Sequence, residues 1–245
     1  MLANRLSEDP ATTVLLVESG GNDNSIFIQM PTALSYPLNT PKYNWAYVSE
    51  PEPHLDKRQL DCHRGKVLGG SSSINGMVYV RGHARDFDEW HALGANNWDY
   101  AHCLPYFKKA EGWIGASDDY RSKQGPVAVN MGNEMHNPLY RAFVDAGVEA
   151  GYNKTEDYNG KLQEGFGPMQ MTVKDGVRCS TSLAYLKPAK SRPNLTIQTK
   201  VQVEKILLED KRAIGILYQH KNRAKQVYAR REVLLCAGAI GSPHL

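Results

Sequence analysis

A mixed α/β fold, in which a Rossmann-like parallel sheet is joined by an antiparallel β-meander and a region of helices and loops, is what this sequence predicts on three observations. Residues 14–18 (VLLVE) are a continuous apolar run ending in an acid and followed by Ser19-Gly20-Gly21. Such a run suits a strand covered on both faces, as in parallel sheets. Residues 137–151 carry apolar side chains at helical spacing behind an Asn-Pro start. From residue 194 the period changes to two, with short polar turns between the segments.

The elements follow in chain order. Residues 2–8 (LANRLSE) read as the end of a helix, with Leu2 and Leu6 one turn apart and Asp9-Pro10 as the stop. VLLVE is then a strand. An acid at its C-terminal end, Glu18, ahead of two glycines matches the second strand of a dinucleotide-binding βαβ unit, where the carboxylate accepts hydrogen bonds from a ribose hydroxyl. A plain strand ending in a surface Glu is the alternative on this segment alone. A βαβ unit also needs a first strand and a glycine-rich turn before its helix, so the expectation is a chain that starts within the motif.

Between residues 25 and 60, Pro31, Pro37, Pro41, Pro51 and Pro53 alternate with Tyr43, Trp45 and Tyr47. This predicts an extended excursion over a core, because the aromatics need burial. Residues 86–93 and 98–111 read as helices, the second interrupted by Pro105. In 137–151, Asn137 caps, Pro138 takes the first helical position, and Gly151 ends the helix. Leu139, Ala142, Phe143, Ala146 and Ala150 form the face expected in the core. The segments NLTIQT, VQVEKILL, AIGILYQ and KQVYARREVLLCAGA read as a meander whose last member ends in a buried apolar strand at 233–237.

Composition excludes several classes. Twenty-nine Lys and Arg against 26 Asp and Glu leave a net charge of +3 with no basic block, which argues against a nucleic-acid partner. No apolar run approaches the roughly 20 residues that span a bilayer, and no leader opens the chain. The expected location is the cytoplasm, or peripheral contact with the cytoplasmic side of the inner membrane. Cys62, Cys103, Cys179 and Cys236 lack CxxC spacing and read as reduced thiols. The eight histidines form no HExxH and no Cys/His quartet, so no protein-bound metal is expected.

Residues 64–82, RGKVLGGSSSINGMVYVRG, mix glycines, serines and an apolar run. Gly65 and Gly70 have P-loop separation, but Ser71 stands where the lysine should be, so nucleoside triphosphate chemistry loses its main cation. Paired glycines still let main-chain N–H groups approach a ligand, and serine hydroxyls add donors. A helix beginning at Ile74 or Asn75 would turn its N-terminus to that ligand. A pyrophosphate or a polar ring edge fits this description; a tight turn before a helix is the alternative.

The run Gly65-Lys66-x-Leu68-Gly69-Gly70-Ser71-Ser72-x-Ile74-Asn75, with Tyr79 and Gly82 beyond it, resembles the first signature of the glucose-methanol-choline flavoprotein oxidoreductases. The final octet, GAIGSPHL, resembles the start of their second. The segments TALSYPL, YNWAY, MVYVRGHARD, NNWDYAHCLPYFKKAE and QEGFGPM are similar to the choline-oxidising branch in particular.

The resemblance implies an FAD-binding Rossmann-like domain with part of a substrate domain, divided as 1–84, an insert at 85–190, and 191–245. It implies that Glu18 holds the adenosine ribose and that Gly69, Gly70 and Ser71 lie along the pyrophosphate and flavin. Asn75, Gly76, Met77 and Val78 would border the isoalloxazine, Val203 would meet the adenine through its backbone, and Ala237 and Gly238 would approach the cofactor. Some family members carry a His, covalently joined to the flavin, where this chain has Ile74, so the FAD is expected to be non-covalent.

The implied reaction passes hydride from a primary alcohol, choline first among them, to the flavin. The family's base is a histidine beyond residue 245, so no catalytic residue is assigned and the chain alone is expected to be inactive. His83 and His91 read as structural histidines. Another alcohol dehydrogenase or oxidase of the same family is one alternative. A non-catalytic remnant completed by a second chain is the other. The electron acceptor is not legible in the residues.

Overall fold

The computed structural model describes residues 1–132 and 136–245. Its helices are α1 (Leu2–Leu6), α2 (Ile26–Gln29), α3 (Ser35–Leu38), α4 (Ala84–Ala92), α5 (Tyr100–Ala110), α6 (Pro138–Glu149), α7 (Lys187–Ala189) and α8 (Gly238–His244). Its strands are β1 (Val14–Glu18), β2 (Tyr47–Val48), β3 (Asp61–Cys62), β4 (Glu111–Trp113), β5 (Val127–Val129), β6 (Val173–Lys174), β7 (Val177–Arg178), β8 (Leu195–Thr199), β9 (Val201–Glu209), β10 (Arg212–His220) and β11 (Arg223–Tyr228). Two units divide the chain. One comprises Met1–Ser25, Ser35–Ile74 and Leu186–Leu245, the other Ile26–Leu34 and Asn75–Tyr185.

In the first unit the apolar run becomes β1 and pairs in parallel with β8, from Val14 opposite Leu195 to Glu18 opposite Thr199. Val14 and Leu16 on β1 and Ile197 on β8 pack against a buried cluster of Leu68, Leu186, Ala189 and Leu195. The Asn194 side chain donates to the carbonyls of Ser7, Asp9 and Thr12, which ties down the loop entering β1. Strands β9, β10 and β11 form the antiparallel meander.

NLTIQT therefore belongs to the parallel pair and not to the meander. Its alternating Leu195 and Ile197 meet the apolar side chains of β1, and that burial decides its neighbour. The expected last strand is also corrected: residues 233–237 form no strand, and Leu234 and Leu235 are exposed. An apolar run becomes a strand only where another backbone accepts its hydrogen bonds, and among the described residues no backbone group from another segment is hydrogen-bonded to this one.

In the second unit, α5 begins at Asp99, whose side chain accepts from the His102 N–H, and it continues through Pro105 without a break. The expected core face of α6 is turned the other way. Leu139 and Phe143 are 75% and 66% exposed, while Val144 and Gly147 are buried. The reason is a notch: a Cβ on Gly147 would lie 2.5 Å from the Phe166 ring, so this helix docks through its glycine. Strands β6 and β7 form a two-residue hairpin across Asp175 and Gly176, both at positive φ, as an Asp-Gly turn of this kind requires.

A buried charge network holds the interior of this unit. Glu111, fully buried, accepts from Arg81 at 2.7 Å and from Arg121 at 2.9 Å. Arg121 also pairs with Asp157 at 2.6 Å. Asp157 accepts from Gln170, whose amide oxygen accepts from Asn159. Each charge therefore has an opposite charge within hydrogen-bond range, which offsets the cost of removing it from water.

Candidate cofactor site

In the first unit the site begins where β1 ends. Glu18 is half-buried; its Oε1 accepts from the Gly20 N–H at 2.8 Å. Burial pushes its carboxyl above the usual range, and the Gly20 N–H and the Lys66 charge partly restrain the shift. Its Oε2 accepts no hydrogen bond from the described residues. Gly20 is a glycine because segment 65–67 runs against it: a Cβ there would lie 1.8 Å from the Lys66 carbonyl oxygen. The parallel bridge Gly21–Val67 and the bond from Leu68 N–H to the Gly21 carbonyl carry the chain from beside Glu18 into the glycine-serine turn.

That turn is a single 3-10 turn, Gly70–Ser73. Gly69 and Gly70 have φ of +90° and +55°, a consecutive left-handed pair that glycine adopts without strain. Ser72 Oγ donates to the Gly69 carbonyl and Ser73 Oγ to the Leu68 carbonyl, so two of the three hydroxyls are used inward. Ser71 stays exposed, its Oγ accepting from the Gly65 N–H. The expected helix from Ile74 or Asn75 is absent. The 3-10 turn stops at Ser73, Ile74 is buried, and the chain enters a second turn.

Val203 joins the Glu18 end. Ser19 Oγ donates to Gln202 Oε1 at 2.6 Å, and the Lys200 N–H donates to the Gly20 carbonyl at 2.8 Å. Opposite Val203 the β9–β10 register shifts, so that Leu217 faces Lys205 and Tyr218 faces Val203. A bulge of this kind re-aims backbone groups out of the ladder. Ala237 and Gly238 are exposed at the start of α8, and the Ala237 N–H donates within that turn to Ser242 Oγ.

The second unit holds the rest of the motif. Asn75 and Gly76 are exposed, Met77 is buried, and Val78 is 48% exposed. Met77 has φ +64°, uncommon for a residue with a long side chain. Asn75 Oδ1 accepts from the Met77 N–H and from Arg178 Nη1, and the Met77 carbonyl accepts from the Thr172 N–H. The motif reading did not single out Arg178 or Thr172. The Asp-Gly hairpin signal at 175–176 was the clue to them, since that turn sets their register.

The histidines have local duties. His83 caps α4, accepting from the Arg85 N–H, while Asp86 reciprocates. His91 and His102 both lie against Asp99. Among the described residues no group of three or more His, Cys, Asp and Glu is placed to hold a metal ion, and all four cysteines are free. No helix of the described residues is long and apolar enough to cross a membrane.

The glycines test whether a dinucleotide cofactor fits. Gly20 and Gly65 are explained by the protein, since a Cβ on either would strike backbone. Gly69 and Gly70 are explained by positive φ. Gly76 has neither reason: its φ is ordinary, and a Cβ there would meet nothing within 4 Å. A glycine left open by its own protein suits close approach of a group from outside the chain. In the first unit, by itself, the unbonded Oε2 of Glu18 likewise suits a group from outside the chain.

The GMC oxidoreductase family model matches residues 13–245. The chain is 59% identical to an oxygen-dependent choline dehydrogenase of Vibrio vulnificus (strain YJ016), a match that covers all of this chain and 44% of the relative. Among solved structures it superposes on a pyridoxine 4-oxidase from Mesorbium loti with a TM-score of 0.93 at 34% identity, covering 99% of this chain and 48% of the other. An FAD-dependent oxidoreductase from Chaetomium thermophilum matches with a TM-score of 0.91 at 33% identity, over all of this chain and 44% of that one. The chain thus spans less than half the length of these relatives. A strand ending in an open carboxylate, a left-handed glycine pair beside it and a family match over nearly every residue agree: the chain belongs to the GMC oxidoreductases.

Proposed function

We propose that this chain supplies the FAD-holding part of an oxidoreductase that takes hydride from the carbinol carbon of a primary alcohol, choline being the favoured substrate. The observation that carries the cofactor reading is the end of β1, where Glu18 keeps one oxygen on the Gly20 N–H and the other without a hydrogen bond from the described residues, while the Gly21 carbonyl bonds the Leu68 N–H at the entrance to the Gly69–Ser71 turn. A carboxylate so held suits a ribose diol, and the positive-φ pair Gly69-Gly70, which carries no side chains and leads into the exposed Ser71, suits close approach of a pyrophosphate. Gly76 and Val78 offer an open, partly apolar edge to a planar ring, and the bulge at Val203 offers backbone groups to an adenine. Ala237 and Gly238 complete this assignment. Ile74 presents no nucleophile, so attachment is non-covalent.

The flavin, when bound, accepts the hydride. The chain's own residues bind and orient it, and we assign none of them as the base. Choline is favoured by the 59% identity to a choline dehydrogenase. Titration of the protein with FAD, followed by flavin fluorescence, tests the cofactor reading. Glu18→Gln should weaken affinity about tenfold, the loss of one charge-assisted hydrogen bond. Equal affinity in the two proteins would remove Glu18 from the site. Anaerobic mixing of choline with an FAD-loaded protein in which this chain is joined to the remaining C-terminal part of a relative tests the substrate: bleaching of the flavin band supports choline, and bleaching by other primary alcohols alone replaces it.

A further inference from the structure

We infer that Arg178 is a positioning residue that holds Asn75–Val78 in its cofactor-ready shape before any ligand arrives; this rests on the site reading above. Arg178 is only 2% exposed. Its Nε donates to the Ile28 carbonyl at 2.8 Å, and its Nη1 donates to both the Asn75 carbonyl at 2.6 Å and Asn75 Oδ1 at 2.9 Å. One nitrogen therefore grips the main chain and the side chain of the same residue. Asn75 Oδ1, fixed in this way, accepts the Met77 N–H at 3.1 Å.

Met77 needs holding. A left-handed backbone crowds the Cβ of a residue with a side chain against the following carbonyl oxygen, and Met77 sits at φ +64° while only 1% exposed. From the other side, its carbonyl accepts from the Thr172 N–H at 2.8 Å and from Thr172 Oγ1 at 3.2 Å. Arg178 and Thr172 belong to one hairpin, closed by the Asp175-Gly176 turn and by the bond from the Cys179 N–H to the Thr172 carbonyl. The hairpin thus clamps the Asn75–Met77 turn at both ends. Gly76, the glycine open to approach from outside, lies between the clamped ends.

The guanidinium suits this task. Its rigid fork reaches Ile28 and Asn75 at once, which the single nitrogen of lysine cannot do. Burial lowers its pKa to about 10, so it remains a cation at neutral pH and its bonds are charge-assisted.

The experiment measures hydrogen–deuterium exchange of peptides covering 75–79 and β9–β11, together with FAD affinity, in the wild-type protein, Arg178→Ala and Arg178→Lys. Both variants should exchange about tenfold faster at 75–79, with the meander unchanged, and both should bind FAD about tenfold more weakly. Should Arg178→Ala lose protection in the meander as well, Arg178→Lys, which keeps the buried charge and stem, carries the same comparison. Unchanged exchange at 75–79 overturns the inference. Faster exchange with wild-type FAD affinity also overturns it, and Glu18→Gln then separates the causes. If Glu18→Gln still weakens binding, only the role of Arg178 falls. If it does not, the site reading falls with it.

Discussion

Two turns a few residues apart in the chain reach the left-handed region by opposite means. At Gly69-Gly70 the residues themselves permit it, since glycine adopts φ of +90° and +55° without a side-chain penalty. At Met77 the residue resists, and the conformation persists because Asn75, Thr172 and Arg178 bond the backbone on either side. The first turn is a local property of two residues. The second is imposed by a hairpin about a hundred residues further along, and it is the one that loosens when a distant side chain is removed. A turn of the second kind suits a site whose shape must exist before its ligand, because the distant holding group Arg178 is buried while Asn75 and Gly76 on the held edge are exposed.

The strongest way to break this comparison is to remove what anchors the second turn's unit. The chain leaving Met77 bonds from the Tyr79 N–H to the Gln170 carbonyl, and the Gln170 side chain joins the network of Asp157, Arg121 and Glu111. Glu111→Ala would leave Arg81 and Arg121 buried without their shared carboxylate. The expected loss is about 3–5 kcal/mol, read from the urea midpoint. A loss below about 1 kcal/mol would place the network in the class of weak surface pairs.

A smaller effect sharpens the comparison. Gly70→Ala meets open space, so only the left-handed penalty of about 1 kcal/mol remains. Gly70→Asn, which tolerates that region, should recover part of it in the same denaturation assay. A penalty of several kcal/mol for Ala would mean that this turn is also held by packing.

The smallest effect lies at Glu18 and depends on pH. Its folded pKa is raised by burial. Its contribution to stability is therefore fully present in acid and is lost as pH rises through the folded value. At neutral pH Glu18→Gln should melt slightly higher than wild type, by about 1–3 °C, and the gap should close near pH 4. A Gln variant that melts lower at neutral pH would show that the carboxylate is stabilised by partners in the free protein. In that case Glu18 would be structural in the way Glu111 is.

Residues 14–18 were legible as a strand because five apolar-to-acid residues before a glycine pair allow few other outcomes. The turn at 69–70, the cap at Asn137 and the meander from Val201 to Tyr228 follow from equally local rules: small side chains, short polar acceptors and period-two alternation. Four further features required the third dimension. Leu195–Thr199 chose β1 as its neighbour, 233–237 remained without one, α6 turned Gly147 inward in place of Leu139, and Arg178 came to grip Asn75. In each case the deciding energy comes from a partner far away in sequence, a strand, a ring or a carbonyl, and neither propensity nor spacing at the residue itself carries information about which partner arrives. Sequence alone determined the segments that bend and pair by their own chemistry; tertiary structure decided which of them meet, because hydrogen bonds and packing are properties of two surfaces and not of one.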